Sequence, residues 1–517
     1  MENWGKPSAP IVSLRIFYIQ RDMELLQNLA YGFSIIFGWK ALLVMTVGVI
    51  LGILAGAMPG ISPSSGVALL VPFTYAMSPA MALILLTSIY LASNYGGSIT
   101  AVLINTPGTP SAVVTALDGY MLTKRGEPGK ALGMALVAST IGGAIGIIIL
   151  IFFSVPLAKV AVGFHPADYF ALAIFGLSTV ASMAGENVAK TFAAIVFGLL
   201  INTIGLDPIS GVERFTFGVD RLYDGFALIP ALIGLFALSV VFERFEQYAF
   251  EQKVIQIVSS KLPSLAEFWK TRWALLQASI IGTVVGIFPG AGATIATFIS
   301  YDIVKRTSKT PEEFGKGSLE GITAAEASNS SSVGGSLVPL LTLGIPGSAT
   351  SAVLLGAFMI HDLNPGPQLF VSNPEIVYGI FASLIVSNFI MLGLGLLGNP
   401  FFVKVVSISD KIMYPMIFIL AVIGSYSTRY SLFDVGACIG FGIIGWLFKR
   451  YSYPVAPVVL GMVLGKMVEE NFRRALIMSG WTIFFTRKLT LIALLLGLLS
   501  FAWPLYQNYQ RRKHKEV

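Results

Sequence analysis

GTVVGIFPGAGATIAT, Gly282–Thr297, and LGILAGAMPGISPSSG, Leu51–Gly66, each set a Pro-Gly pair inside apolar sequence, and the two prolines, Pro59 and Pro289, lie 230 residues apart. Proline lacks an N–H and clashes with the preceding turn, while glycine opens backbone angles closed to other residues, so each pair breaks a helix. Inside a bilayer the freed backbone groups find no water. Such a break is tolerated only where protein or a water-filled cavity satisfies them. Two further breaks follow in the same order. SNYGGSITAVLINTPGTPSAV, Ser93–Val113, matches SSVGGSLVPLLTLGIPGSATSAV, Ser331–Val353, with one inserted residue between the GGS and Pro-Gly elements. Ordered matches at similar spacing make an internal repeat.

Composition supports the bilayer setting. Of 517 residues 55% are hydrophobic and 12% charged, with mean hydropathy +0.78, whereas soluble domains devote about a quarter of their residues to charge. From Ala41 to Leu117 there is no Asp, Glu, Lys or Arg, a run long enough for roughly four crossings of a ~30 Å hydrocarbon layer. Similar runs recur to residue 506. They predict an all-α polytopic membrane protein with about 10 to 14 membrane segments, some of them partial.

The net charge of +7 does not mark a nucleic-acid binder. Lys and Arg fall in short loops and in the tail RRKHK, Arg511–Lys515, a positive-inside pattern that also suits anionic membrane lipid. That pattern sets the direction of each repeat. Lys124, Arg125 and Lys130 follow the first Pro-Gly turn, whereas the matching stretch Met359–Glu375 has neither Lys nor Arg. Lys305, Arg306, Lys309 and Lys316 follow the second FPG, and its counterpart Phe73–Ala80 has none. Equivalent loops thus lie on opposite sides, which predicts two inverted-topology repeats with re-entrant helical hairpins, as in secondary transporters. The divisions are an N-terminal extension at 1–22, cytoplasmic or an overextended start before Met23; a first membrane repeat at 23–242; a cytoplasmic connector at 243–272; a second repeat with C-terminal helices at 273–506; and a basic cytoplasmic tail at 507–517. Ala55-Gly56-Ala57 imitates a signal-peptidase site, but the repeat places it within the fold.

The breaks carry the candidate site. Pro59, Gly60, Pro289 and Gly290 are the structural breaks. Asn105, Thr106, Pro107, Gly108, Thr109 and Ser111 form one hairpin tip, and Pro346, Gly347, Ser348 and Thr350 the other. Helix N-termini after such breaks present unpaired N–H groups and partial positive charge, which hold an anion, and hydroxyls donate to a carboxylate without a fixed charge. A plain kink is the competing account. Ser98 and Ser336, in the GGS elements, are either ligand contacts or close-packing positions. Glu320 and Glu326 lead into the second hairpin and suit a coupling proton or cation; pairing with Lys316 or helix capping is the alternative. Asn94 and Asn329, ahead of the GGS elements, suit Na⁺ or a helix cap. His165 and His361 are isolated and read as loop or interface residues.

Other classes find little support. One cysteine, Cys438, and no Cys/His cluster offer no metal site. No GxSxG, HExxH or intramembrane Asp pair suggests a catalytic centre or an enzyme. A channel for small solutes remains the alternative to a carrier, because glycine-rich re-entrant hairpins also build pores.

GAMPGISPSSGVALLVPFTY, YGGSITAVLINTPGTPSAVVTALDGY, GIFPGAGATIATFISYDIV and FGKGSLEGITAAEASNSSSVGGSLVPLLTLGIPGSATSAVLLGA together resemble the large membrane subunit of the tripartite tricarboxylate transporters, the TctA-type family. The resemblance runs from about Met23 to the last membrane segments. Family members often have Pro before the residue matching Glu326, and Asn-Asn where this chain has Asn329-Ser330. The resemblance implies a multi-pass protein of the bacterial cell inner membrane. It further implies a small four-helix membrane subunit and a periplasmic solute-binding protein as partners, and an organic carboxylate as substrate. No cofactor and no ATPase take part; an ion gradient, Na⁺ or H⁺, drives import. One hairpin-bearing domain would move against a scaffold.

Overall fold

The computed structural model describes residues 27–58, 60–182, 188–247, 262–290, 292–406 and 410–515. The extension at 1–22, Pro59 and the 248–261 part of the connector lie outside the described residues. Helices form almost all of the rest. The first ten are α1 (27–36), α2 (Trp39–Ala57), α3 (Pro63–Leu70), α4 (Pro79–Ile104), α5 (Ala112–Lys124), α6 (Pro128–Ala161), α7 (Pro166–Ser182), α8 (Val188–Asn202), α9 (Leu228–Ile233) and α10 (Ser239–Gln247). A π-helical turn, Gly234–Leu238, joins α9 to α10, and a short antiparallel ribbon, β1 (Gly205–Leu206) and β2 (Glu213–Arg214), precedes them. Then come α11 (Leu265–Lys270), α12 (Arg272–Ile287), α13 (Gly292–Thr307), α14 (Leu319–Leu343), α15 (Ala349–Ile360) and α16 (Leu369–Ser372). The chain closes with α17 (Pro374–Val406), α18 (Asp410–Arg429), α19 (Leu432–Arg450), α20 (Ala456–Ser479), α21 (Ile483–Thr486) and α22 (Lys488–Lys515).

Among the described residues seven helices are long and apolar enough to cross a bilayer, and five shorter ones are apolar. The chain is a multi-pass membrane protein. α14 is in neither group although it is buried along nearly its whole length. Much of its polarity is satisfied within the helix: Thr323, Ser328, Ser331, Ser332, Ser336 and Thr342 each donate to a carbonyl three or four residues back. Hydroxyls satisfied in this way pack against other helices as small side chains do.

Small residues set the closest contacts. α2 lies along α4 and α12 along α14 so tightly that a Cβ on Gly56 would stand 2.0 Å from the Ser93 carbonyl oxygen, and one on Gly335 would stand 2.2 Å from that of Thr283. Gly142 and Gly146 of α6 press in the same way on Ala327 and Ser331 of α14. The GGS glycines Gly96 and Gly334 are likewise packing positions, against Ile53 and Gly146. α4 and α14 cross antiparallel. Tyr90 reaches Ser336, Asn329 reaches the Asn94 carbonyl, and Ser98 reaches Glu326.

The segments read as helical hairpins have a different path. α4 ends at Asn105 and α14 at Gly344, both in the left-handed region at φ 54° and 70°. From there the chain runs back beside the long helix without a helix of its own. Gly108 N–H donates to the Gly97 carbonyl at 3.2 Å. α5 then runs in the same direction as α4: Thr115 and Ser98 share Glu326, and farther on Thr123 donates to the Val102 carbonyl at 2.8 Å. The same contact recurs in the second segment. A Cβ on Gly108 would meet the Gly56 carbonyl and the Cα of Gly97, and one on Gly347 would meet the Gly286 carbonyl and the Cα of Ser336. Gly108 and Gly347 are 239 residues apart, as are Gly97 and Ser336. The contact therefore shifts the match of the two GGS elements by one residue and leaves no insertion between them and the breaks.

The basic loops meet at one end. Lys130 pairs with Glu267 at 2.5 Å, and the backbone N–H groups of Gly315, Gly317 and Ser318 all donate to Asp118 on α5. At the opposite end Thr74 and His361 lie 3.1 Å apart.

Candidate functional site

A cavity of about 380 Å³ lies among helices that begin just after the breaks. Five helices begin at its wall. α3 contributes Ser62, Pro63 and Ser64; α5 is preceded there by Thr109, Pro110 and Ser111; α13 contributes Gly292 to Ile295. Ser348, Ala349 and Thr350 open α15, and Ala456 and Pro457 open α20. First-turn N–H groups have no acceptor inside their own helix, and each helix N-terminus carries about half a positive charge. Among the described residues no Lys, Arg, His, Asp or Glu lines the cavity. The site is thus electropositive through backbone dipoles and lined with hydroxyls, the chemistry that holds a carboxylate without a fixed cation.

Cross-links between the segments fix the wall. Ser64 and Thr350 hydroxyls are 3.2 Å apart. Tyr90 Oη lies 2.9 Å from both Ser336 and Ser348. Ser348 caps α15 in a reciprocal capping box with Ser351, which leaves the Thr350 hydroxyl on the cavity side. Ser65 donates to the Phe236 carbonyl inside the π-helical turn, whose Phe236 also lines the cavity; such turns place extra backbone where function needs it. Thr191 of α8 reaches the wall with its hydroxyl buried and without a partner.

Of the residues singled out in the sequence, Thr109, Ser111, Ser348, Thr350, Asn94 and Gly290 line this cavity. Asn105, Thr106 and Pro107 do not. They form the outer turn where the chain reverses, and Asn105 is solvent-facing. Gly108, Pro346 and Gly347 lie behind the wall, where Gly108 and Gly347 wedge between helices and Gly290 N–H donates to the Gly347 carbonyl at 3.1 Å. Ser336 serves Tyr90, and Gly60 packs near Val240 and Tyr414. Asn94 and Asn329 cap nothing: Asn94 Nδ2 donates to the Tyr90 carbonyl and Asn329 Nδ2 to that of Asn94, leaving Asn329 Oδ1 buried without a partner.

The two glutamates part company. Glu320 sits in the first turn of α14 and accepts from Ser308 at 2.5 Å. Glu326 is fully buried and accepts from Ser98 at 2.5 Å, from Ser139 at 2.8 Å, and from Thr115. Sequence reasoning missed Tyr90, Thr115, Ser139, Thr191 and the start of α20. Tyr90 and Thr115 lie one helical turn from Asn94 and Ser111, and Ser139, Thr191 and α20 come from distant parts of the chain, where only Pro454 and Pro457 gave a local sign that a helix begins. Among the described residues no group of His, Cys, Asp and Glu has the makings of a metal site.

Residues 42–460, which include every cavity-lining residue and Glu326, match the family model described as the tripartite tricarboxylate transporter TctA family. An uncharacterized 52.8 kDa protein in the TAR-I ttuC' 3' region of Agrobacterium vitis is 37% identical over 495 residues, covering 95% of this chain and 99% of its own length. A second Agrobacterium vitis protein, in the TAR-II ttuC' 3' region, is 40% identical over 234 residues, covering 45% of this chain and 97% of its own. No solved structure matches. On the extent of the family match, the chain belongs to the tripartite tricarboxylate transporter TctA family.

Proposed function

We propose that this chain is the ion-coupled translocating subunit of an importer for a small organic carboxylate, and that the cavity among the five helix starts is its solute site. The observation that carries the reading is that convergence of N-termini and hydroxyls around a space that no charged side chain lines among the described residues. Each N-terminus contributes roughly 0.3–2 kcal/mol toward an anion. Several together hold a carboxylate, and without a fixed cation its release is not blocked. Family membership supports the rest of the scheme: a periplasmic binding protein delivers the solute in the inner membrane, and a small four-helix subunit accompanies the chain. The recurring glycine contact and the antiparallel crossing of α4 and α14 support two inverted repeats, with the basic end cytoplasmic. An anion moving into a negative interior loses about 2.3 kcal/mol per charge per 100 mV, so a cation, Na⁺ or H⁺, must accompany it.

The test is uptake of a panel of labelled organic acids by the assembled transporter in vesicles, with the pH and Na⁺ gradients set independently. Thr109→Ala and Ser348→Ala should each weaken apparent affinity for the transported acid by roughly 10- to 150-fold, the loss of one donor to a desolvated charge at about 1.5–3 kcal/mol. Unchanged affinity in both variants places the solute elsewhere. Uptake indifferent to collapse of both gradients removes the coupling.

A further inference from the structure

Glu326 stands apart from every other deeply buried acid among the described residues. Asp168 has Arg487 at 2.6 Å, Asp434 has Arg429 at 2.6 Å, and Asp118 has three backbone N–H groups at 2.8 Å and the Tyr301 hydroxyl at 2.8 Å. Glu326 has only the hydroxyls of Ser98, Thr115 and Ser139, on three different helices, and no basic group. We infer that Glu326 with these three hydroxyls is a proton-binding site, separate from the solute cavity, that holds its proton at neutral pH and supplies the coupling ion. This rests on the ion-coupled reading above and chooses between its two cations.

Geometry favours a proton over Na⁺. A cation held by oxygens at roughly 2.3–2.6 Å, as Ca²⁺ is, spreads its ligands beyond about 3 Å from one another. Here the carboxylate oxygens stand 2.5 Å from Ser98 and 2.8 Å from Ser139, closed directly onto one another as hydrogen bonds, with a proton between each pair. A carboxylate in a low-dielectric interior without a counter-charge is costly, and the neutral acid removes that cost. Hydroxyls also suit a site that must load and unload. A hydroxyl both donates and accepts, so by rotation the three serve the ion and the acid alike, whereas a Lys or Arg would fix the ion.

Among the described residues no other titratable group intrudes. On α5, Asp118 is taken by the 315–318 backbone; on α13, Tyr301 donates to Asp118 and Asp302 pairs with Arg306 at 2.8 Å. On α6, Lys130 pairs with Glu267; on α12, Arg272 lies over Trp269 and Trp273. α4 offers only Tyr90 and Tyr95, and α15 has no titratable side chain. The site is nevertheless linked to the cavity. Ser98 is one turn along α4 from Asn94, and Thr115 one turn along α5 from Ser111, both cavity-lining. Loading one proton reverses one of the three hydrogen bonds at Glu326, and with it the balance of bonds that Ser98 and Thr115 make beside the cavity.

Infrared spectra of the purified full chain in lipid nanodiscs at pH 7, in H₂O and in D₂O, test this. The expected result is a protonated-carboxyl C=O band that shifts in D₂O, is lost in Glu326→Gln and persists in Asp118→Asn. Ser139→Ala and Thr115→Val keep the acid and remove one partner each, so each should shift the band; they carry the test if the glutamine variant fails to fold. A wild-type spectrum without the band, a band indifferent to all three substitutions, or a band abolished by adding Na⁺ at constant pH overturns the proposal. The readout needs no solute and no partner subunit. Its failure therefore leaves the carboxylate reading standing, and failure of uptake leaves the proton site standing.

Discussion

At Gly108 and at Gly347 the chain returns into the bundle through the same contact, and what holds it afterwards differs. After Gly108, α5 carries Thr115 and Asp118 on its buried side, bonded to Glu326 and to the 315–318 backbone. After Gly347, α15 has no charged residue, and beyond its capping box it packs through apolar side chains against α3, α9, α20 and α4. Its polar ties are Tyr90 to Ser348 and Ser64 to Thr350. One short helix is anchored by buried charge and the other rests on packing and hydroxyls. Local opening needs least energy where few directional bonds must break, so the α15 side of the cavity is expected to open at lower cost than the α5 side.

The sharpest way to break that comparison is to fill the two glycines. A Cβ on Gly108 would stand 2.0 Å from the Gly56 carbonyl oxygen and 3.0 Å from the Cα of Gly97; on Gly347 the nearest approaches are 2.7 Å to the Gly286 carbonyl oxygen and 2.8 Å to the Cα of Ser336. All are backbone atoms, which cannot swing aside. Gly108→Ala should destabilise the chain by roughly 3 kcal/mol or more and Gly347→Ala by about 1–2 kcal/mol, read as thermal unfolding of the purified protein. Equal losses would mean that the first return loop is no more rigidly held than the second.

The anchors come next in size. Asp118→Asn keeps the shape but withdraws the charge that three N–H donors and Tyr301 share, a loss of roughly 3 kcal/mol for a buried network left partly unsatisfied. Tyr90→Phe should cost only about 1 kcal/mol, because Ser336 still donates to the Val333 carbonyl and Ser348 keeps its exchange with Ser351. Amide hydrogen exchange should rise in α5 for the first variant and at the start of α15 for the second. Exchange rising in both regions in either variant would show the two anchors to be one cooperative unit.

How far the sequence carries this picture follows from the range of each interaction. The four breaks are local chemistry, and the helices stop at Ala57, Ile104, Ile287 and Leu343 beside the Pro-Gly pairs that announce them. Thr109, Ser111, Ser348 and Thr350 follow, because a hydroxyl just before or in the first turn of a helix is placed by that helix alone. Asn105 and Thr106 are equally close in sequence yet point away, since the left-handed residue that reverses the chain sets their direction. No local pattern distinguishes those two cases. α14 escapes a hydropathy reading because its serines bond within their own helix, and Glu326 resembles Glu320 until Ser98, Thr115 and Ser139 arrive from other helices.

The smallest expected effect separates the two ends of the bundle by pH. At the opposite end His361 meets Thr74, whose hydroxyl proton already goes to the Val71 carbonyl at 2.6 Å, so Nε2 of His361 is the donor of that pair. Burial holds its pKa below the ordinary 6.5, with Asp362 opposing. The unfolded chain therefore takes up a proton first as pH falls. Stability from the neutral imidazole is present above about pH 6.5 and drains away below it. At the basic end the Lys130 ammonium, and then Ser264, hold Glu267 at about 2 against an ordinary 4.5. Here the folded state keeps the charge longer, so its contribution is present above about pH 4.5 and is lost as pH falls toward 2. Both ends weaken in acid, in separate windows. Amide exchange around 71–76 and 358–363 should rise as pH falls below about 6.5, before that around 264–270 changes. His361→Gln should flatten the first step alone and Glu267→Gln the second alone. If His361→Gln leaves the upper step in place, another group sets it and the two ends are not told apart by these residues; a step that survives only at the basic end would confine acid sensitivity to the half anchored by charge.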